Sequence, residues 1–245
     1  MNDSSIQASG YCQKCDCEHS IEVGKSRIFA EQLFKNLEEF GRIDFDSNES
    51  DPLYSTDYLW GEARGQMFGV LHCIDNDGKD VILKAFSCQY NSQWKITGWV
   101  PPLLDVELYH KIVPPVDAEI KRLTAEIEKK PNNAKELKLE RKTLSQKFMK
   151  EIHSLYSLMN FNGEESTLAD AFSLSKGMPT GTGDCCAPKL LNFAARNNLK
   201  PLGLSEFYFG KENKSRTRRH GDYYTACENK CQPILGFLLC GIDDV

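Results

Sequence analysis

The spacing of apolar residues in the first half of the chain changes from helical to strand-like. Residues 25–40 carry an apolar side chain at about every third or fourth position, which predicts an amphipathic helix ended by Gly41. Two short apolar runs follow at residues 67–73 and 81–86, and the Asp-Asn-Asp-Gly segment between them favours a tight turn. We therefore expect a helix followed by a β-hairpin, with residues 94–100 as a further strand before Pro101 and Pro102 stop it.

A second helical spacing begins at Pro115 and is interrupted at Pro131-Asn132-Asn133. Its apolar positions are Val116, Ile120, Leu123 and Ile127 before the interruption, and Leu137, Leu144, Phe148, Ile152, Leu155 and Met159 after it. Two charged helices joined by a Pro-Asn turn form an antiparallel helical hairpin. We interpret the Lys and Glu faces of this hairpin as solvated surface.

The last third of the chain combines glycine, cysteine and basic residues. Residues 177–183 form a glycine-rich loop, and Asp184 starts a predicted helix with Cys185 and Cys186 in its first turn. Residues 199–209 predict a strand, 210–219 a basic loop, and 227–240 a final helix that begins with Cys227 and Cys231. Both cysteine pairs thus open helices, where the partial positive charge of the N-terminus favours the thiolate.

These elements together predict an α/β fold, with a small mixed sheet flanked by helices and an inserted antiparallel helical hairpin. We divide the chain into four parts. They are a cysteine-rich, zinc-knuckle-like N-terminus (1–24), a helix-plus-hairpin half of the core (25–113), the inserted helical hairpin (114–160), and a helix–strand–helix half of the core that bears cysteines (161–245).

Charge and hydropathy limit how the chain can contact nucleic acid or a membrane. Lys and Arg number 30 and Asp and Glu 35, so the net charge of −5 leaves only local basic patches for nucleic acid. The first ten residues lack a basic and an apolar signal region, and the longest apolar run, 234–240, is too short to cross a membrane. We expect a cytoplasmic protein without membrane contact, whose clustered cysteines bind metal rather than form disulfides. Cys73, Cys88 and Cys240 stand apart and are interpreted as small buried apolar residues.

The late cysteines predict a zinc site, because Zn²⁺ takes thiolate and imidazole ligands in a tetrahedron. Its candidate ligands are Cys185 or Cys186, Cys227 and Cys231, with His220 close by. One of the vicinal cysteines with Cys227 and Cys231 leaves a position open to water, whereas both of them, or His220 as well, close the site. A redox pair of neighbouring thiols is the alternative.

The N-terminal cysteines predict a second zinc site with the spacing of a zinc-knuckle half-site. Cys12, Cys15 and His19 are the preferred ligands, and Cys17 completes the set or replaces one of them. The alternative is a mobile, metal-free terminus.

The order hairpin, cysteine-bearing helix, strand, cysteine-bearing helix resembles the zinc nucleobase deaminase fold, whose signature is H-x-E followed by P-C-x-x-C. The glutamate position of that signature holds Ala187 or Pro188 here, and Cys227 and Cys231 are spaced one residue wider. Asp184 or Glu206 are the candidates for the missing acid. Each also has a plain role, as a helix cap and as a strand-edge carboxylate.

Three late segments carry a second resemblance: Gly-Thr-Gly-Asp-Cys-Cys-Ala-Pro-Lys-Leu-Leu (181–191), Glu-Phe-Tyr (206–208) and residues 220–236, with 66–71 and 98–102 in addition. They are similar to the accessory region that precedes the catalytic domain in some bacterial pseudouridine synthases of the large-subunit rRNA and tRNA type. Chains of this length also resemble a standalone bacterial family. The resemblance implies an RNA-modification context. It does not imply pseudouridine synthesis, because the His-Arg-Leu-Asp motif of those enzymes does not occur.

The basic loop adds a candidate phosphate or RNA contact through Lys211, Lys214, Arg216, Arg218 and Arg219. A solvated loop is the alternative. The sequence therefore predicts a zinc-binding accessory module that associates with RNA or with an RNA-modifying protein. A zinc-dependent base or nucleotide deaminase, acting through a zinc-activated water, is the alternative function.

Overall fold

The computed structural model describes residues 3–45, 47, 51–129, 134–174 and 177–244. The strands are β1 (Asp3–Cys12), β2 (Cys17–Gly24), β3 (Gln66–Ile74), β4 (Asp80–Phe86), β5 (Ser157–Met159), β6 (Glu165–Thr167) and β7 (Lys200–Phe209). The α-helices are α1 (Ser26–Phe40), α2 (Val106–Lys129), α3 (Ala134–His153), α4 (Leu168–Ala171), α5 (Cys186–Arg196) and α6 (Gln232–Leu239). Short 3₁₀ turns lie at Pro52–Tyr54, Thr56–Trp60 and Ile242–Asp244.

The central sheet has the order β4-β3-β7, and both of its pairings are antiparallel. The predicted first helix and hairpin are confirmed: α1 ends at Gly41, whose φ of 60° suits glycine, and the turn between β3 and β4 contains Gly78 at φ 77°. The α/β class is confirmed as well.

Alternate side chains of β3 separate two hydrophobic clusters on the two faces of the sheet. Phe68 and Val70 pack with α1 in one cluster, whereas Leu71 and Cys73 pack with α5 and α6 in the other. The sheet is therefore covered by α1 on one face and by the cysteine-bearing helices on the other.

The prediction of a strand at residues 94–100 is wrong. The chain reverses at 90–93, where Asn91 and Ser92 have φ of 44° and 67°, and only the N–H of Val100 bonds to β4, at Lys84 O (2.9 Å). Trp94 and Trp99 are both buried, in different clusters. Packing of these two large side chains overrides the strand-like pattern.

The helical hairpin is confirmed, but it starts earlier than Pro115. Helix α2 begins at Val106 because Asp105 Oδ1 accepts the N–H groups of Glu107 and Leu108 at 3.0 Å, and it continues through Pro114 and Pro115. The predicted Pro-Asn turn at 131–133 lies outside the described residues. Leu155 and Met159 do not belong to α3, which ends at His153; residues 157–159 form β5 instead.

The N-terminal hairpin β1–β2 packs on α6 at a very close approach. A Cβ at Gly236 would collide with the backbone of Tyr11, and one at Gly10 would collide with Gly236 N. Helix α6 starts at Gln232 rather than at Cys227, and residues 227–231 form the turn before it. Among the helices that the structure describes, none is long and apolar enough to span a membrane.

Candidate metal centres and the buried groups beside them

The first centre joins the two ends of the described chain. One ligand atom from each of Cys12, Cys15, His19 and Cys240 lies within 4.8 Å of all the others. Cys15 Sγ is 3.0 Å from His19 Nε2 and 3.6 Å from Cys240 Sγ. Cys12 ends β1, Cys15 lies in the hairpin turn, His19 lies on β2, and Cys240 follows α6. This group could hold a metal ion.

The fourth member of the first centre is Cys240, which the sequence assigned to the core, and not Cys17. Cys17 pairs opposite Cys12 in the hairpin, and its thiol donates to Cys15 O at 3.3 Å. Burial, with hydrogen bonds to Cys15 and Cys12, raises the pKa of Cys240 to about 12. No local pattern links Cys240 to residues so distant in sequence; only the packing of α6 on the hairpin brings them together.

No family model, curated protein or solved structure matches this chain.

The second centre contains Cys185, Cys227 and Cys231. Cys185 is the N-cap of α5, and its thiol is hydrogen-bonded to both Cys227 and Cys231. Cys231 is the N-cap of α6, so the starts of the two helices meet here. Within the described residues, however, only the first centre brings three or more ligand atoms of His, Cys, Asp or Glu into a geometry ready for a metal ion.

The thiol of Cys227 lies in an environment that favours its ionised form. The hydrogen bond from Cys185, together with the backbone N–H groups of Lys230, Cys231 and Asn229, lowers the pKa of Cys227 to about 5. Hydrogen-bond donors aimed at sulfur stabilise a thiolate in this way.

Cys186 and His220 face other parts of the fold. The thiol of Cys186 is fully buried against β3 and donates to Met67 O at 3.4 Å. His220 Nδ1 accepts the N–H of Gly210 at 3.1 Å, and its ring packs on Phe34, Trp60 and Phe209. Of the two vicinal cysteines, Cys185 is thus the one that reaches Cys227, and the structure places His220 in an aromatic cluster.

Both candidate acids are buried, and each has a partner. Glu206 Oε1 accepts the N–H of Ala187 at 2.8 Å, so this carboxylate holds the start of α5. Burial, and the nearby negative charge of Cys227, raise the pKa of Glu206 to about 7. Asp184 accepts the hydroxyl of Tyr156 at 2.7 Å, and burial raises its pKa. Glu206 therefore adjoins the second centre, while Asp184 is held by Tyr156.

A buried lysine that the sequence reasoning missed lies beside these groups. Lys189 is 1% exposed, and its Nζ donates to the carbonyls of Phe86 and Cys88, both at 2.8 Å. Burial lowers its pKa. The available signal was a lysine within the apolar start of α5, where a charged side chain needs partners. Lys189 fixes the segment that follows β4 against the helix that carries Cys185.

The basic loop has a defined backbone and is only partly free for ligands. Asn213 Oδ1 accepts the N–H groups of Thr217 and Arg218, at 2.9 and 3.1 Å. Arg218 lies over the ring of Tyr224 and Arg219 is 3.5 Å from Glu212. Lys211, Lys214 and Arg216 are exposed.

Proposed function

We propose that this chain is a zinc protein in which the first centre is a structural site. A set of three cysteines and one histidine is a common ligand set of structural zinc sites. The observation that carries the proposal is the convergence of Cys12, Cys15, His19 and Cys240 within 4.8 Å. The ion clamps the β1–β2 hairpin onto the end of α6.

The second centre is proposed to bind zinc through Cys185, Cys227 and Cys231. The thiol of Cys185 already bonds to the other two, and donors around Cys227 favour the thiolate that a metal requires. Binding draws the three sulfur atoms around one ion and leaves a fourth position open.

The module associates with RNA through its basic loop. Lys211, Lys214 and Arg216 project from a loop whose backbone Asn213 holds, and such a cluster neutralises phosphates locally although the whole chain is acidic. The resemblance of residues 181–191 and 206–208 to an accessory region of RNA-modifying enzymes supports the same function.

Deamination of a base or nucleotide is the second candidate, and Glu206 favours it. A buried carboxyl with a pKa near 7 beside three thiols suits proton transfer at neutral pH. Zinc held by Cys185, Cys227 and Cys231 would supply activation of water for this hydrolysis, and Glu206 would transfer a proton to the amino group, which leaves as ammonia.

The test of the metal sites is the zinc content of the full-length protein and of matched variants. We expect two equivalents in the wild type. Cys240→Ser should lose one, while Cys17→Ser, a change in the same cluster of cysteines, should keep both. Retention of both equivalents by Cys240→Ser would refute the first centre.

The second centre has its own matched pair in the adjacent residues Cys185 and Cys186. Cys185→Ala should lose one equivalent of zinc, and Cys186→Ala should keep both, because the thiol of Cys186 faces Met67. Equal loss in both variants would contradict the ligand set.

The two functions separate by ammonia release and RNA binding. If the chain is an accessory module, we expect salt-dependent binding of single-stranded RNA and no ammonia release from cytidine, adenosine or RNA. Ammonia release that Glu206→Gln abolishes, with zinc retained, would replace the module with the deaminase.

A further inference from the structure

An open cleft of about 380 Å³ lies between the 3₁₀ turn at Thr56–Trp60, the segment after β4, and the start of α2. We call it the aromatic cleft, and it is lined by Tyr58, Cys88, Gln89, Ser92, Trp94 and Tyr109. Three of these six residues are aromatic, and none carries a charged side chain at neutral pH. The rings of Trp94 and Tyr109 meet edge to face, with centroids 5.2 Å apart and an angle of 78°.

The polar groups of the aromatic cleft are not used by the fold. In the described part of the chain, the hydroxyls of Tyr58, Ser92 and Tyr109 and the side-chain amide of Gln89 have no hydrogen-bond partner in the protein. Trp94 is 7% exposed, and its indole N–H is buried without a partner. Of these groups only the indole N–H is fully buried, whereas Ser92 is exposed and Tyr58, Gln89 and Tyr109 are half-buried. An unbonded buried donor is costly, so the indole N–H calls for an explanation, and the other groups are open to a ligand.

A larger cleft of about 680 Å³ beside α5 shows the contrast. There Arg196 bonds to Glu165 and Ser157, and Asn192 accepts the N–H of Met159. Most of its polar side chains therefore serve the fold, and the aromatic cleft is the better candidate for a ligand although it is smaller.

The backbone of the aromatic cleft is fixed by contacts from three directions. Cys88, with φ 54°, donates its N–H to Asp184 O at 2.7 Å, and Lys189 holds Cys88 O. Gln66 Nε2 donates to Gln89 O at 3.0 Å. A left-handed cysteine costs conformational energy, which these contacts offset. The cleft is thus held in shape before any ligand arrives.

We propose that the aromatic cleft binds a planar heterocycle of the nucleobase type. Aromatic walls stack on such a ring, and an amide with hydroxyl groups hydrogen-bonds to its edges. The lining has no charge, so the recognised part of the ligand is neutral. The source of the heterocycle is a free nucleoside or an unpaired base of single-stranded RNA. The proposal goes beyond the zinc sites and the basic loop, and neither is needed for it.

The three tryptophans provide a direct test in the ¹⁵N-labelled, full-length protein. Their indole N–H resonances are assigned by Trp→Phe changes, and cytidine, adenosine, ribose or a short single-stranded RNA is then added. The Trp94 resonance should shift saturably with a nucleoside or with the RNA, and not with ribose. Trp99, whose N–H bonds to Ile43 O at 2.9 Å, and the exposed Trp60 should not shift.

The outcomes distinguish a free nucleoside from a base in RNA, and they also include results that would overturn the proposal. If nucleosides saturate the Trp94 shift at concentrations as low as those of RNA, the ligand is a free nucleoside. If RNA saturates the shift at a much lower concentration than nucleosides do, the ligand is a base in a strand. An unchanged Trp94 resonance with every probe, or an equal shift with ribose, overturns the proposal. Loss of RNA binding in basic-loop variants with the Trp94 shift by nucleosides retained shows that the loop and the cleft are independent.

A surface variant guards against misfolding. Gln89→Ala removes an unbonded amide from the cleft and should weaken nucleoside binding about fivefold. Gln32→Ala, the same change on α1 where the amide bonds to Asn36, is the matched control and should leave the affinity unchanged. Equal affinities of the two variants would count against the cleft.

Discussion

The two cysteine clusters differ in how the fold assembles them. The first centre gathers four ligand atoms from the hairpin and from the end of α6, segments that are far apart in sequence. The second gathers three thiols at two helix starts, next to a buried carboxylate. The first therefore offers four ligand atoms, the number that a structural zinc site takes. The second offers three thiols beside Glu206, which is the number of protein ligands in a site with an open position.

The largest effect expected is the loss of stability when the first centre is emptied. Chelation or Cys240→Ser should destabilise the protein by several kcal/mol, because binding of a structural zinc contributes directly to folding. Thermal unfolding followed by circular dichroism measures the change. Cys17→Ser should remain within about 0.5 kcal/mol of wild type.

If chelation leaves the unfolding temperature of the Cys240→Ser variant and of the wild type equally unchanged, the first centre has no structural role. Lowering the pH should release the metal as well, since metal ligands of this type bind only in their deprotonated form.

Close packing of β1 on α6 supports the first centre, and Gly236→Ala should disrupt it. Alanine favours a helix by about 0.8–1.0 kcal/mol over glycine. Its Cβ would nevertheless collide with the backbone of Tyr11, so we expect a net loss of about 3 kcal/mol or more in the free energy of unfolding.

Gly177 provides the control for this prediction, because a Cβ there meets no atom within 4 Å. Gly177→Ala should change stability by less than about 1 kcal/mol. Denaturant titrations of both variants measure the difference, and a neutral Gly236→Ala would mean that the hairpin is not docked as described.

The second centre should reveal itself through the pH dependence of stability. The pKa of Glu206 in the folded protein, about 7, exceeds its ordinary value of 4.5, so the folded state binds the proton more tightly. In metal-free protein, Glu206 should lower the stability by up to about 3 kcal/mol as the pH rises from its ordinary pKa through 7. Cys227, whose pKa is lowered to about 5, contributes in the opposite direction above pH 5. The contribution of Glu206 is therefore measured as the difference between the wild type and Glu206→Gln at each pH.

A cation at the second centre would place a positive charge beside Glu206, where the thiolate of Cys227 otherwise places a negative one. This change distinguishes a metal-bound second centre from an empty one. With zinc bound beside it, the carboxyl ionises at lower pH, and the difference in slope between the wild type and Glu206→Gln from pH 5 to 7 should largely disappear. An identical difference with and without metal would show that the ion does not lie next to Glu206.

The smallest effect on stability is expected in the basic loop, which belongs to neither centre. Lys214→Ala/Arg216→Ala should leave the unfolding free energy within about 0.5 kcal/mol of wild type and lower the slope of log K for RNA against log salt by about 1.4. Fluorescence anisotropy at several salt concentrations measures it. An unchanged slope would remove RNA from the proposed function of this loop.

Local patterns predicted the elements well, and distant packing explains what they missed. Helix α1, the β3–β4 hairpin, strand β7 and the cysteine-bearing start of α5 follow from spacing and turn residues. Residues 94–100 failed as a strand because Trp94 and Trp99 enter different clusters. Spacing could not reveal which of two adjacent cysteines faces inward, since that depends on the rotation of α5 against β3.

The ligand sets show the same limit. Cys12, Cys15 and His19 lie within one hairpin and are visible in sequence, whereas Cys240 becomes a neighbour only after α6 packs on β1. His220 had the right chemistry for a ligand, but the N–H of Gly210 and three aromatic rings hold its imidazole elsewhere.

The distance in sequence between the hairpin and Cys240 also determines when the first centre can form during translation. A ribosome that adds 5–20 residues per second needs roughly 10–45 s to pass from His19 to Cys240. Throughout that interval the nascent chain contains Cys12, Cys15 and His19 but not Cys240. The β1–β2 hairpin also lacks α6, the helix on which it packs. A chaperone or metal donor that binds the nascent chain would therefore first bind a hairpin with three of the four ligands of the first centre.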